Sequence, residues 1–300
     1  MTSDAPTDRQ TYRAFGLTID SELPLAGFTS APASGAADVR VRVAPREGHD
    51  DGDQHILARA EGTLRASVMA REVVVEPDPS ADPDYIGAVV TGELFSVVLR
   101  QRGQLVLHGS CVARDGVAVG FVGESGWGKS TLAASLVARG WRLLTDDLLV
   151  VDGIDRGAPV SIPSHPSMRL SEQAIEAVDG AGRERGQAHA LTSKRRVDMA
   201  DAFSDEPVAL GAIFVLDPRL ADAHEAVPLS PREATLQFVG HTRGQRLLHA
   251  EAVRAAHLMQ CARLAQATPT FHLRRRFGLD EVGALCDLVE REALRAATAA

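Results

Sequence analysis

Residues 123–131 read Gly-Glu-Ser-Gly-Trp-Gly-Lys-Ser-Thr, and this stretch constrains the chain more than any other. A glycine, four variable residues and Gly-Lys-Ser is the spacing of a phosphate-cradling loop. Its glycines let the backbone turn tightly, so that successive amide N–H groups point inward as an anion nest. A helix beginning at the same place adds its positive end. The context fits: an apolar strand-like run, "GVAVGFV", precedes the loop and a helical run, "KSTLAASLVAR", follows it, with Gly140 placed to stop the helix. The residues expected to hold a nucleotide are therefore Gly123, Glu124, Ser125, Gly126, Trp127, Gly128, Lys129, Ser130 and Thr131. Lys129 would reach the terminal phosphates, Ser130 would bind Mg²⁺ and Trp127 would shield the loop.

The sequence around the loop fixes its setting. "RDG" at 114–116 is a tight-turn signal between two apolar runs. The strand entering the loop should thus have an antiparallel neighbour just before it, unlike the simplest parallel arrangement. "WRLLT" reads as a strand that ends at Asp146 and Asp147. Ligands sit at strand ends in open α/β sheets, so two adjacent carboxylates there suit a division of labour. One, Asp146, would support the metal; the other, Asp147, would take a proton from an attacking hydroxyl. Without the loop upstream the same pair would read equally well as a solvated turn or helix cap. Asp217, closing the apolar run "AIFVLDP", is a competing metal ligand of the kind an ordinary ATPase carries; Pro218 beside it leaves no base to activate water. His108, at the end of "LVLH", would flank the loop-bearing strand.

The front of the chain is β-rich. "TYRAFGLTI", "DVRVRVA", "ILARA", "TLRASVM" and "EVVVEP" are strand-like, and Val39, Val41 and Val43 alternate with polar residues. "YIGAVVTGELFSVVLRQRG" suits a helix about as well as strands. Residues 180–197 are rich in Gly, Arg and Lys and read as a mobile loop. "SPREATLQFV" begins with Ser230 as cap, Pro231 in the first turn and Glu233 closing a capping box. Long helices are expected over 246–266 and in the closing segment "LDEVGALCDLVEREALRAA".

Composition excludes some classes. With 300 residues and 45% hydrophobic content the chain can bury a full core, and a net charge of −8 argues against a dominant nucleic-acid or anionic-membrane role. Cys111, Cys261 and Cys286 are far apart and form no CxxC pair, which fits neither a zinc site nor a disulfide framework. The first residues lack an apolar leader, and no apolar run approaches membrane-spanning length, so a cytoplasmic protein is expected.

Four linked parts in "LHGSCVARDGVAVGFVGESGWGKSTLAASLVARGWRLLTDD" resemble the HPr kinase/phosphorylase family: His-Gly, a hairpin, the phosphate loop and the adjacent aspartates. The resemblance is firm over roughly 105–150 and loose to about 290. It implies an α/β fold with a mixed-sheet P-loop kinase core of PEP carboxykinase/HPr kinase type. The domains would then be a β-rich N-terminal recognition region over 1–100 and a catalytic domain over 101–300. By position, Asp147 resembles the family's proton acceptor and His108 its active-site histidine. Lys129 and Ser130 resemble the phosphate and Mg²⁺ contacts, with Asp146 supporting the metal. The implied cofactors are ATP and Mg²⁺.

The departures matter as much. The family's Arg-Gly-Leu-Gly stretch with its metal-binding Glu is missing; "IPSHPSMRL" stands in its place. Candidate charge-stabilising cations are Lys194, Arg195 and Arg196 in "TSKRRVD" and Arg243 in "HTRGQR". Read without the resemblance, each is a solvated loop cation. The front third is unlike the family's N-terminal domain, which weighs against the phosphorylase half of the activity. The chain looks more like the shorter HPr-kinase-like tailoring kinases of lasso-peptide pathways. That implies a hydroxyl on a peptide or protein substrate, such as a C-terminal serine of a precursor peptide, with the front region binding the peptide at a sheet edge. The alternatives are a nucleotide-sensing ATPase module without acceptor and a small-molecule alcohol kinase. A homo-oligomer is compatible with the resemblance.

Overall fold

The computed structural model describes residues 9–33, 36–44, 55–56, 64–78, 80–178, 183–188, 192–245, 251–276 and 278–299. The chain is a mixed α/β protein built on mixed sheets. Its front is a seven-stranded sheet of β1 (Gln10–Ala14), β2 (Leu17–Ser21), β3 (Thr29–Ala31), β4 (Val39–Val43), β5 (His55–Ile56), β6 (Leu64–Met69) and β7 (Glu72–Pro77). "TYRAFGLTI" is two strands rather than one. Phe15 and Gly16 take φ of 56° and 70°, the left-handed pair a two-residue hairpin turn requires. Val39 and Val41 are buried while Arg40 and Arg42 face out, as their alternation predicts, but Val43 at the end of the strand is exposed. Residues 57–60 of "ILARA" and 246–250 of the helix expected over 246–266 lie outside the described residues.

The ambiguous apolar segment is helical throughout. α1 (Pro83–Val89) runs through a π-turn (Val90–Leu94) into α2 (Phe95–Gln101). Burial decides the matter: Val90, Leu94, Phe95, Val98 and Leu99 are fully buried. They pack against the front sheet and against Val106, Leu148 and Val150 of the next one, so a single apolar core joins the two.

The larger sheet starts with β8 (Leu105–Arg114) and β9 (Val117–Val122), an antiparallel hairpin turning at Asp115 and Gly116. The neighbour expected for the loop-bearing strand is thus present. α3 (Lys129–Ala138) follows the glycine-rich loop of residues 123–128, and Gly140, at φ 91°, ends it. β10 (Arg142–Thr145) and β11 (Leu148–Asp152) flank Asp146 and Asp147, and β12 (Val160–Ile162) follows. Next come β13 (Ser167–Leu170), α4 (Glu172–Ala177), β14 (Arg183–Gln187) and β15 (Arg195–Asp198). β13, β14 and β15 form a separate three-stranded sheet. Residues 183–187 and 195–198, expected as loop, are therefore strands. Gly- and Arg-rich composition argued for a loop, but 195–198 pairs with 167–170 on one side and with 183–187 on the other, which satisfies their backbone.

β16 (Val208–Leu220), β17 (Glu225–Pro228), α5 (Pro231–Gly240), α6 (Glu251–Ala267), β18 (Thr270–Arg275) and α7 (Val282–Ala299) complete the chain. α5 starts with the full capping box of Ser230 and Glu233. In the larger sheet the pairings β8–β11–β12–β16–β9–β8 close on themselves. β16 is parallel to both β9 and β18. The three cysteines are buried free thiols. Among the described residues no helix is long and apolar enough to cross a membrane.

Candidate active site

Residues 105–108 of β8 pair with 148–151 of β11, and the turn into β11 carries Asp146 and Asp147. His108 lies directly opposite Leu148 in that register, so its ring reaches the turn. Asp147 has φ 79°, a left-handed conformation that Asp and Asn tolerate better than most residues. The turn is pinned by Gly109 N donating to Asp147 O at 3.2 Å. A second strand-like contact arrives from beyond α5: His108 N donates to His241 O (2.7 Å) and Arg243 N to Val106 O (3.0 Å). That pairing carries Arg243 to the carboxylate.

Asp147 is the hub. Its Oδ1 lies 3.1 Å from His108 Nδ1, and its Oδ2 faces Arg169 Nη2 and, at 3.5 Å, Arg243 Nη2. Only 13% of its side chain is exposed. Burial pushes its carboxyl up, yet Arg169, Arg243 and the His108 contact outweigh that and hold it well below the usual carboxylate range. The π-turn approaches from the other side. A Cβ at Gly92 would stand 3.2 Å from Arg243 Nη2 and 3.3 Å from Asp147 Oδ2, so only glycine fits there without displacing the pair.

Lys129 is 5% exposed. Its ammonium donates to Gly123 O and Glu124 O, each at 2.9 Å, and meets His108 Nε2 at 3.0 Å. An ammonium has no acceptor, so Nε2 accepts and Nδ1 carries the proton toward Asp147. His108 thereby links Lys129 to Asp147. Burial brings Lys129 down to about 8, with Asp146 and Asp147 pulling the other way.

Asp146 takes three hydrogen bonds. Ser110 Oγ (2.6 Å) and Ser130 Oγ (2.7 Å) donate to its Oδ1, and Arg169 N (3.1 Å) to its Oδ2. A carboxylate beside a serine hydroxyl at the start of a phosphate-loop helix is a donor set that Mg²⁺ takes, since Mg²⁺ keeps waters and phosphate oxygens for its other positions. The fit needs no larger cage, and among the described residues no group of three or more His, Cys, Asp and Glu is gathered for a metal.

These groups line one cavity of about 420 Å³. Ser125, Gly126, Gly128, Lys129, Ser130 and Thr131 form its floor, and His108, Asp146, Asp147, Arg169, Lys194 and Arg243 its walls. Of the expected nucleotide-holding residues, Gly123 and Glu124 stand behind the floor and cap Lys129 through their carbonyls. Trp127 turns away, against His241 and toward a second cavity. Arg195 is not in the cavity wall, and Arg196 instead lines a small cavity of about 40 Å³ on the far side of Asp147. Asp217 is buried in β16 with His272 Nδ1 at 4.0 Å, and is absent from the cavity wall.

Arg169 was not singled out by sequence. It lies in "IPSHPSMRL", on β13, between Met168 and Leu170, which are buried. Alternation alone turns Arg169 to the opposite face; that this face meets Asp147 depends on a sheet pairing no local pattern reveals.

No family model matches the chain. It is 32% identical over 103 residues to the HPr kinase/phosphorylase of Treponema pallidum subsp. pallidum, covering 31% of this chain and 32% of that protein. It is 53% identical over 45 residues to the HPr kinase/phosphorylase of Chlorobium phaeobacteroides, 15% of this chain and 13% of that protein. The chain thus spans about a third or less of the curated relatives it matches. The Hpr(Ser) kinase/phosphatase structure from Coxiella burnetii superposes with a TM-score of 0.34 at 12% identity, over 63% of this chain and 97% of that one. At that score the superposition carries no weight. The local identities do: over those stretches the chain is similar to HPr kinase/phosphorylases.

Proposed function

We propose that the protein is an ATP- and Mg²⁺-dependent kinase that transfers the γ-phosphate to a serine or threonine hydroxyl of a peptide or protein. One observation carries the reading: His108, Lys129 and Asp147 converge within hydrogen-bonding distance at the end of a phosphate loop, in a cavity also walled by Arg169 and Arg243. The likeness to HPr kinase/phosphorylases supports it independently.

In this reading the backbone of 125–131 holds the triphosphate, and Lys129 exchanges a carbonyl partner for a terminal phosphate oxygen. Ser130 and Asp146 would hold Mg²⁺, which when bound neutralises charge on the β- and γ-oxygens. The acceptor oxygen attacks the γ-phosphorus, the bond to the β–γ bridging oxygen breaks, and the hydroxyl proton passes to Asp147. Arg169 and Arg243 clamp Asp147 in the resting site. An arriving phosphoryl group shares those guanidinium groups, and Asp147 becomes a better proton acceptor as it is released. Arg169, Arg243 and Lys194 then face the spread charge of the transition state.

The acceptor side is the small cavity behind Asp147. It is bounded by Ala26, Asp84, Ala88 and Gly92 from the front of the chain and by Asp147, His165 and Arg169. This supports acceptor recognition by residues 1–100 and catalysis by 101–300. The narrower reading, a lasso-type precursor peptide as acceptor, rests on sequence likeness alone.

The test is incubation with Mg·ATP and serine- or threonine-containing peptides, followed by mass spectrometry. A phosphopeptide, with ATP consumption stimulated by the acceptor, is expected. Vigorous ATP hydrolysis indifferent to every acceptor would instead identify an ATPase.

A further inference from the structure

A second cavity, of about 190 Å³, lies across Gly126 and Gly128 from the one holding His108 and Asp147. The two share Gly126, Gly128, Thr131 and Ser171 in their walls. Their chemistry differs. The first is walled by charge; the second presents Trp127, Leu132, Leu279, Val282 and Leu285, with Arg275 at its inner edge. One wall is apolar and partly aromatic, and Gln173, His224, Arg276 and Glu281 add polar groups around it, a mixture found in small-molecule sites.

A phosphate loop gives a bound polyphosphate a direction. The lysine reaches the terminal phosphates, and backbone amides hold those nearer the other end. Here the terminal end is fixed at Lys129 by His108 and Asp147. The chain of phosphates then leaves past Gly128 and Thr131, and the apolar cavity opens at those residues.

Arg275 is placed at the junction. A Cβ on Gly128 would stand 3.0 Å from Arg275 Nη1, so the guanidinium rests against the first turn of α3. Its sequence neighbours are paired, Arg274 with Glu225 and Arg276 with Glu281. Among the described residues no ion pair of Arg275 is found. Burial lowers its pKa, as for a cation whose environment supplies no compensating charge. A half-buried guanidinium in that state is suited to an anion arriving from outside the chain.

We propose that this cavity is the nucleoside site of a nucleoside triphosphate, with the base on the Trp127–Leu279–Leu285 wall and Arg275 on the phosphate next to the ribose. The assignment rests on reading residues 123–131 as a triphosphate loop.

Calorimetric titration of the full chain with Mg·ATP and with Mg·tripolyphosphate separates the two ideas. Leu279 is 42% exposed, so Leu279→Glu changes the cavity rim without entering the core. It should weaken ATP binding about tenfold and leave tripolyphosphate binding unchanged, because only the nucleoside meets that rim. Arg275→Gln should weaken both ligands, again by about tenfold. Circular dichroism melting should match wild type for both variants. Unaltered ATP affinity in Leu279→Glu, or an equal loss for both ligands, would overturn the nucleoside assignment while leaving the phosphate loop intact. Failure of the wild-type protein to bind either ligand would remove the loop reading and this assignment with it.

Discussion

Replacing Arg169 by Met probes the interaction that the sequence did not disclose. Arg169 Nη2 donates to Asp147 Oδ2, with side chains 33% and 13% exposed respectively. Breaking a fully buried pair leaves a stranded charge and costs about 3–5 kcal/mol. Here Asp147 keeps His108 and Arg243, and water reaches Arg169, so a loss of about 1–2 kcal/mol at neutral pH is expected. The loss carries a pH signature. A carboxyl held below its ordinary value contributes stability that is complete above that value and disappears as pH falls through the folded-state value. Arg169 is the largest of the influences lowering Asp147, so without it the folded-state value rises toward the ordinary one. The difference between variant and wild type should therefore be largest at pH 7 and shrink between about pH 5 and pH 2. Urea unfolding across that range reads it directly. In transfer assays the same variant should lose about 10²- to 10³-fold in kcat, because a guanidinium facing the transferring group is gone. Arg169→Lys should restore stability more than rate, since a point charge replaces a fork. A variant with pH-independent destabilisation and kcat within about threefold of wild type would refute the coupling of Arg169 to Asp147 and to chemistry.

Three further outcomes follow from other contacts. Lys129 sits at about 8 in the folded chain against 10.5 ordinarily, so ATP affinity should fall as pH rises past about 8, while the Lys129 contribution to stability rises with pH between those values; titration calorimetry from pH 6 to about pH 9 checks the first. Gly128→Ala forces a Cβ onto a backbone at φ 86° and against Arg275, and should cost about 1–2 kcal/mol in stability and weaken ATP binding, measured by melting and calorimetry. Gly92→Ala places a Cβ against Arg243 and Asp147, and should lower kcat about tenfold with little change in ATP affinity, as steady-state kinetics would show.

Much of the site is local in the sequence, and that part was legible. The phosphate loop, the "RDG" hairpin, the strand ending at Asp146–Asp147 and His108 all fall within one stretch of about forty residues whose turn glycines fix the geometry. Ser230 with Glu233 likewise announced α5 because a capping box is a four-residue device. What was not legible depends on distant pairing. Arg169 reaches Asp147 only because β13 docks there, and Arg243 only because 241–243 pairs with β8. The strands at 183–187 and 195–198 exist through mutual pairing, against their composition. "YIGAVVTGELFSVVL" could not be assigned by period because it packs against both sheets, so apolar residues recur at helical and strand spacings alike. Among the charged candidates, sequence proximity grouped Lys194, Arg195 and Arg196, yet their places differ: Lys194, just before β15, is in the cavity wall, and Arg196, within β15, lies behind Asp147.

The carboxylate of Asp147 as proton acceptor is the claim on which the kinase reading stands, and Asp147→Asn tests it with least disturbance. Asn tolerates the φ of 79° at this position, and the amide keeps a hydrogen-bonding oxygen for the neighbouring cations. Single-turnover transfer from Mg·ATP to a serine peptide, measured beside ATP affinity, is the decisive readout. The account predicts near-wild-type affinity with transfer slowed by at least about 100-fold. Near-normal transfer by this variant would contradict it.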